Sequence, residues 1–321
     1  MDSPIGNTQR ALVWAREHRR RLLLGVMFLA IVASGFLFLR PAASPLEMLA
    51  CLPPGDAPVL YVDVRLLRNT GLLDRIAGPA GSEEAEYTKL VDATGFNYRR
   101  DLDAALLEFR PDSTFLVARG RFDMARLGAY AGEHGGQCAG DFCSMPGSSE
   151  GKHISFSPLA GSRSSIFEPR MFALAIGPAA MGAASIRANG AIPAFDPPPA
   201  PVWLSLPSSS FHSVSDLPQG LSAFLEALAG AERATLSIEV LPAGLEVDLI
   251  AACPKPAVAQ EIAARLMRAT DVLRDLIAHS GKPPEDTSPA VLLSAGTFRA
   301  DQSIVHGKWP VSKAFLDSLG R

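Results

Sequence analysis

Residues 235–252 read TLSIEVLPAGLEVDLIAA. Apolar and polar side chains alternate on both sides of Pro242-Ala243-Gly244, the pattern of strands with one face on a core and the other in water. Proline presets the backbone at the second turn position and glycine accepts the conformation that follows, so the stretch predicts an antiparallel hairpin. A hairpin of the same make lies at 105–120, ALLEFRPDSTFLVARG, and turns at Pro111-Asp112.

Working outward from each hairpin, the flanking segments match. A short apolar strand precedes it, VLYVDV (59–64) in one case and VWLSLP (202–207) in the other. Helical sequence follows each hairpin; from Pro256 to His279, Val258, Ile262, Leu266, Ala269, Leu273 and Leu276 fall on one stripe. Two more strands are predicted in each half, HISFSPL (153–159) and RMFALAIG (170–177), then VLLSAGTF (291–298) and SIVHGKW (303–309). Both halves are predicted to close on a helix entered through proline, at Pro178 and Pro310. Turn proline and closing proline stand 67 residues apart in the first half and 68 in the second. The expectation is an α+β protein of two similar βαββαββα halves, 58–190 and 201–321, each an antiparallel sheet covered by helices. A proline-rich linker at 191–200 joins them.

Residues 22–39, LLLGVMFLAIVASGFLFL, run for 18 positions without a charge. At about 1.5 Å per residue that length approaches a bilayer's hydrocarbon core. Arg10, Arg16, Arg19, Arg20 and Arg21 precede the run, and Arg40 alone follows it before Arg65. This excess places the tail at 1–21 in the cytoplasm and the rest of the chain outside it. The segment reads as an uncleaved anchor: its core exceeds that of a cleavable signal peptide, and RPAAS is a mediocre cleavage site. A twin-arginine export signal at RRRLLL is a weaker alternative; lipidation at Cys51 is rejected, because MLAC lies well beyond the apolar core, past Pro41, Pro45 and Glu47. Residues 40–57 read as a proline-rich stalk.

Compartment decides the chemistry of Cys138 and Cys143, which have four residues between them in HGGQCAGDFCSMPG (134–147). Outside the cytoplasm such thiols tend to be oxidised, and a Cys138–Cys143 bridge would staple a local turn. The alternatives are free thiols or a zinc site of His134, Cys138, Cys143 and His153, whose spacing only touches the usual pattern. The Cys-x-x-Cys of thiol oxidoreductases is absent.

The first 40 residues hold six Arg against two acidic residues, leaving 24 Lys+Arg against 31 Asp+Glu beyond them. A mildly acidic domain without a basic run argues against nucleic-acid binding. Nucleophile-elbow, phosphate-loop, dinucleotide and zinc-protease motifs are missing, so no cofactor or reaction is implied. Two stretches stand out. TGFNYRRDLDAALLEF (94–109) gathers Phe96, Tyr98, Arg99 and Arg100, and RGRFDMARLGAY (119–130) gathers Arg119, Arg121 and Phe122. Arginine beside aromatics suits a recognition surface, although local ion pairs and capped helix starts account for the same residues.

The arginine-flanked anchor, the segment PAASPLEMLACLPPGDAP (41–58) and the strand VLYVDVRLL (59–67) make the chain resemble single-pass bacterial envelope proteins with a duplicated extracytoplasmic α+β domain. That resemblance implies residence in a bacterial inner membrane and carries no activity. The expected function is non-enzymatic, an anchored module binding another envelope protein. The alternative is a small-ligand or lipid-binding module using a cleft between the halves; a hydrolase is a more distant third.

Overall fold

Alternation of apolar residues builds one twelve-stranded antiparallel sheet rather than two. The computed structural model describes residues 44–78, 85–159, 170–187, 193, 195–212, 219–241, 244–279, 289–312 and 314–315. The expected cytoplasmic tail at 1–21, the expected membrane span at 22–39 and the turn residues Pro242 and Ala243 lie outside them. No helix among the described residues is long and apolar enough to cross a membrane.

The first half contributes helix α1 (Pro45–Leu49), β1 (Val59–Val62), α2 (Val64–Asn69), α3 (Leu72–Ala77), α4 (Ala85–Thr94), α5 (Tyr98–Asp101), β2 (Leu102–Phe109), β3 (Thr114–Gly120) and α6 (Met124–Glu133). It continues with β4 (Gln137–Ala139), β5 (Phe142–Pro146), β6 (His153–Pro158), β7 (Arg170–Gly177) and a 3-10 turn at Gly182–Ser185. The second half adds β8 (Val202–Pro207), a 3-10 turn at Ser208–His212, α7 (Gln219–Ala227), β9 (Arg233–Leu241) and β10 (Gly244–Ala252). Then come α8 (Pro256–His279), α9 (Pro289–Ser294), β11 (Thr297–Asp301) and β12 (Ile304–Val311).

Strands β1 and β8 pair antiparallel, Tyr61 opposite Trp203, and join the halves. Outward from that joint the order is β1-β2-β3-β7-β6 on one side and β8-β9-β10-β12-β11 on the other. The halves therefore share one strand order, and the β4–β5 hairpin is an addition at the first half's edge.

The period of two sorts residues onto two faces. On one, α8 packs Ile262 and Leu266 over Leu249, Ala251, Val305 and Trp309. The same face carries Val64, Leu67 and Leu72 over Val62, Val202 and Ile238 at the joint. Farther along it, α6 lies over Ala118, Phe156 and Phe172. Leu276, at the end of the predicted stripe, is 64% exposed. The other face is wet in the second half, where Lys308 bridges Glu246 and Asp248. Near the joint that face is covered, by Met48, Leu49, Cys51 and Leu52 packing on Tyr61, Leu106, Val117 and Trp203.

Several expectations are corrected here. The stretch read as stalk, 40–57, packs from α1 onward into the core, because Met48, Leu49, Cys51 and Leu52 are apolar and bury on the sheet. Helices do not cover one face only, since α1 and the turn at Gly182–Ser185 cover the other. Pro178 opens no α-helix; the chain forms that short 3-10 turn instead. Pro310 lies inside β12, opposite Glu246. Strand β11 has already ended at Thr297, opposite Lys308, so Pro310 sits where β12 has one described neighbour and a missing N–H is tolerated. In the stretch read as a strand at 291–298, helix α9 runs to Ser294 and strand begins at Thr297.

Candidate functional site: an apolar cavity beneath the first helical layer

Helix α6 starts where Asp123 accepts hydrogen bonds from the N–H groups of Ala125 and Arg126, at 3.1 Å each. This N-cap fixes the helix over β3 and directs Leu127 and Tyr130, three residues apart, toward the sheet. Helix α4 approaches from the side and ends in Gly95, whose φ of +73° is the left-handed closing residue that glycine adopts without strain. Gly120 ends β3 against the turn into β2; a Cβ there would lie 2.3 Å from the Asp101 carbonyl oxygen. Only glycine lets the two segments approach so closely.

Between helices and sheet lies a partly open cavity of about 330 Å³. Its floor consists of Ala105, Leu116 and Ala118, with Phe172 and Leu174 beside them; Met145, Ile154 and Phe156 form the far wall. Leu90, Leu127 and Tyr130 make the roof, and Phe96 with Phe122 the near wall. Two alanines on the floor leave the space.

The near wall is an aromatic stack. Phe96 and Phe122 rings lie 5.2 Å apart, and Phe122 and Phe172 lie 4.7 Å apart. Beyond it is a polar cleft of about 650 Å³, which shares Phe96 and Phe122 with the cavity. Arg100, Asp101, Arg121, Asp123 and Arg126 line it. Asp101 is buried and accepts from Arg100 at 2.7 Å, from Arg121 at 3.3 Å and from the Asn97 N–H at 3.0 Å. Burial pushes its carboxyl upward in pKa. The Arg100 hydrogen bond, the Asn97 N–H and the charges of Arg100 and Arg121 outweigh that and hold it below the usual carboxylate range.

Of the seven residues singled out as a recognition surface, the structure brings four together here: Phe96, Arg100, Arg121 and Phe122. The others go elsewhere. Arg99 turns to α3, donating to Asp74 and to the Ala77 and Gly78 carbonyls at 3.0 Å each. Tyr98 packs on Tyr87 at 5.3 Å. Arg119 pairs in register with Met171, on the sheet face away from the cavity floor of Ala118 and Phe172. The floor alanines and the pair Leu127 and Tyr130 were missed. The signal for the latter was their helical spacing on a strongly amphipathic segment; nothing local marks an alanine as lining a void.

Cys138 and Cys143 stand opposite each other in the β4–β5 hairpin, their sulfurs joined in a disulfide. That bond removes both thiolates from the zinc alternative. His134 contacts the Tyr130 carbonyl at 2.8 Å through Nδ1 and stacks on the Tyr130 ring, while His153 sits in β6. Among the described residues no three His, Cys, Asp or Glu side chains are placed to hold a metal ion. Cys51 and Cys253 are buried in separate core clusters, so they do not bridge each other.

No protein-family model matches the chain, and no curated protein matches it. Among solved structures, TP0453 in its crystal form I is similar at a TM-score of 0.44 and 14% identity, over 85% of this chain and 96% of that one.

Proposed function

We propose that this is a membrane-anchored envelope protein whose first half binds an apolar small molecule, such as an acyl chain, in the cavity beneath α4 and α6. The observation that carries this reading is the cavity itself. Its 330 Å³ falls within the span of small-ligand sites, about 300–1,000 Å³, and its lining is apolar apart from the Tyr130 hydroxyl. Its apolar walls meet water at the open side, and an apolar guest would remove that surface from water. This site lies within one half, unlike the inter-half cleft of the alternative reading of the sequence. Partner binding through the arginine-aromatic loops has less support, because Arg99 and Tyr98 are spent on internal contacts. The anchor at 22–39 would keep the cavity close to its source of lipid in the inner membrane.

The test is extraction. The full chain is purified from native membranes, and bound organic molecules are measured per protein in wild type and in Ala118→Leu, which fills the floor. The expected result is an apolar compound near one per chain in wild type and lost in the variant. The variant should melt at a temperature equal to or higher than ligand-free wild type, by the equivalent of about 0.5–2 kcal/mol for a filled cavity. Equal lipid content in both proteins would remove the cavity as the binding site.

A further inference from the structure

A charged, solvent-exposed cleft adjoins the cavity across the Phe96–Phe122 wall. Three guanidinium groups, from Arg100, Arg121 and Arg126, line it against two carboxylates, Asp101 and Asp123. Both Arg100 and Arg121 contact the same carboxylate, Asp101. Arg126 lies 3.6 Å from Asp123, beyond a good hydrogen bond. One positive charge is therefore in excess, on side chains that are each more than half exposed. The Phe96–Phe122 pair lines both spaces and stands between them, so a guest reaching from one to the other passes at these two rings.

We infer that the guest is a single-chain amphiphile with an anionic head: its chain fills the cavity, and its carboxylate or phosphate stops in the cleft among Arg100, Arg121 and Arg126. This rests on the cavity reading above and adds the head group to it. A methylene occupies roughly the ~30 Å³ that a water molecule takes in the liquid, so the cavity holds a chain on the order of ten carbons. A guanidinium offers five N–H donors in a fork that matches carboxylate and phosphate oxygens. The excess charge selects an anion over a neutral or cationic head of equal chain length.

The experiment uses the full chain in lipid nanodiscs with a twelve-carbon carboxylate carrying a photoreactive diazirine near its methyl end. Cross-linked peptides are mapped by mass spectrometry. Dodecanoate, dodecyl phosphate, dodecanol and dodecyltrimethylammonium compete at matched bilayer loading. Labelling is expected in 124–133 and 142–146, displaced about two- to fivefold more effectively by the anions than by dodecanol, the range an exposed charge pair supplies. Which anion competes better distinguishes a free fatty acid from a phosphate-headed lipid. Arg126→Gln should narrow the preference, and Asp123→Asn, which keeps the helix cap, should widen it. Equal displacement by dodecanol and dodecanoate would overturn the anionic head while leaving the cavity reading intact. Labelling confined to 22–39 would overturn both.

Discussion

Asp101 shows how a single side chain organises the site. It joins the end of α5 to Arg100, Arg121 and the Asn97 N–H, and so ties the mouth of the cleft to the start of β2. Its carboxyl is held below the usual range, against its own burial. A depressed carboxylate stabilises the fold at pH values above its unfolded pKa of about 3.9, and that contribution disappears as pH falls through the lower folded value. Asp101→Asn should therefore cost about 1.5–3 kcal/mol near pH 7, the worth of hydrogen bonds to a charged group. The difference from wild type should begin to shrink as pH drops below about 3.9 and go on shrinking toward the lower folded value. Denaturant titrations at pH 7 and pH 3 measure this, and a cost independent of pH would show that the charge is not what matters. The sequence displayed Arg99, Arg100, Asp101 and Asp103 as one cluster without saying who pairs with whom. Asp103 goes to Arg68, 35 positions away, and Arg99 to Asp74. Pairing of this kind depends on chain segments that meet only after folding, so it is not written in local spacing.

Hairpins and the long helix were the elements most legible in the sequence, because alternation and a three-to-four spacing are strong periodic signals. Helix α8 begins at Pro256 and ends at His279, as the stripe implied. Short apolar runs were less legible: VLLS fits strand or helix by pattern alone, and it completes α9. The cavity was not legible at all, since it lies between the sheet positions Ala105 and Ala118 and the side chains of α4 and α6, and no local pattern states that such packing leaves a space. The β4–β5 hairpin bears on that space through its disulfide. A Cβ on Gly128 of α6 would lie 3.6 and 3.7 Å from the two sulfurs, so the helix rests directly on the bridge. Replacing both cysteines, Cys138→Ser with Cys143→Ser, should lower stability by about 2 kcal/mol for so small a closed loop. It should also loosen the cavity roof. Amide exchange is expected to quicken across 124–133 and to stay unchanged across the interior of α8. Uniform acceleration in both helices would mean that the bridge serves the whole fold and not the roof.

The two halves were read as repeats from proline spacing. They share one strand order, whereas the prolines that suggested a repeat, Pro178 and Pro310, do not start α-helices. What the sequence left open was whether the halves form one sheet, because both β1 and β8 are short apolar strands that could equally have been edges. The structure joins them, and the joint is packed on both faces. Tyr61 and Trp203, one from each half, stack at 5.4 Å on one face. On the other, Leu245, Val202 and Ile238 of the second half pack with Val64, Leu67 and Leu72 of the first. Trp203 is 1% exposed and also meets Phe195 edge-on, so the proline-rich connector is clamped to the same spot. Trp203→Ala should cost about 3–5 kcal/mol, the range for deleting a large buried aromatic. The form of the loss is more telling than its size. The cores under α6 and α8 do not depend on Trp203, so weakening the joint should let each half unfold on its own. Calorimetry is expected to show one cooperative transition in wild type and two separable ones in the variant, with Ala118→Leu shifting only the transition of the first half. A single transition, merely lowered in temperature, would show that the shared core at the joint is not what couples the halves.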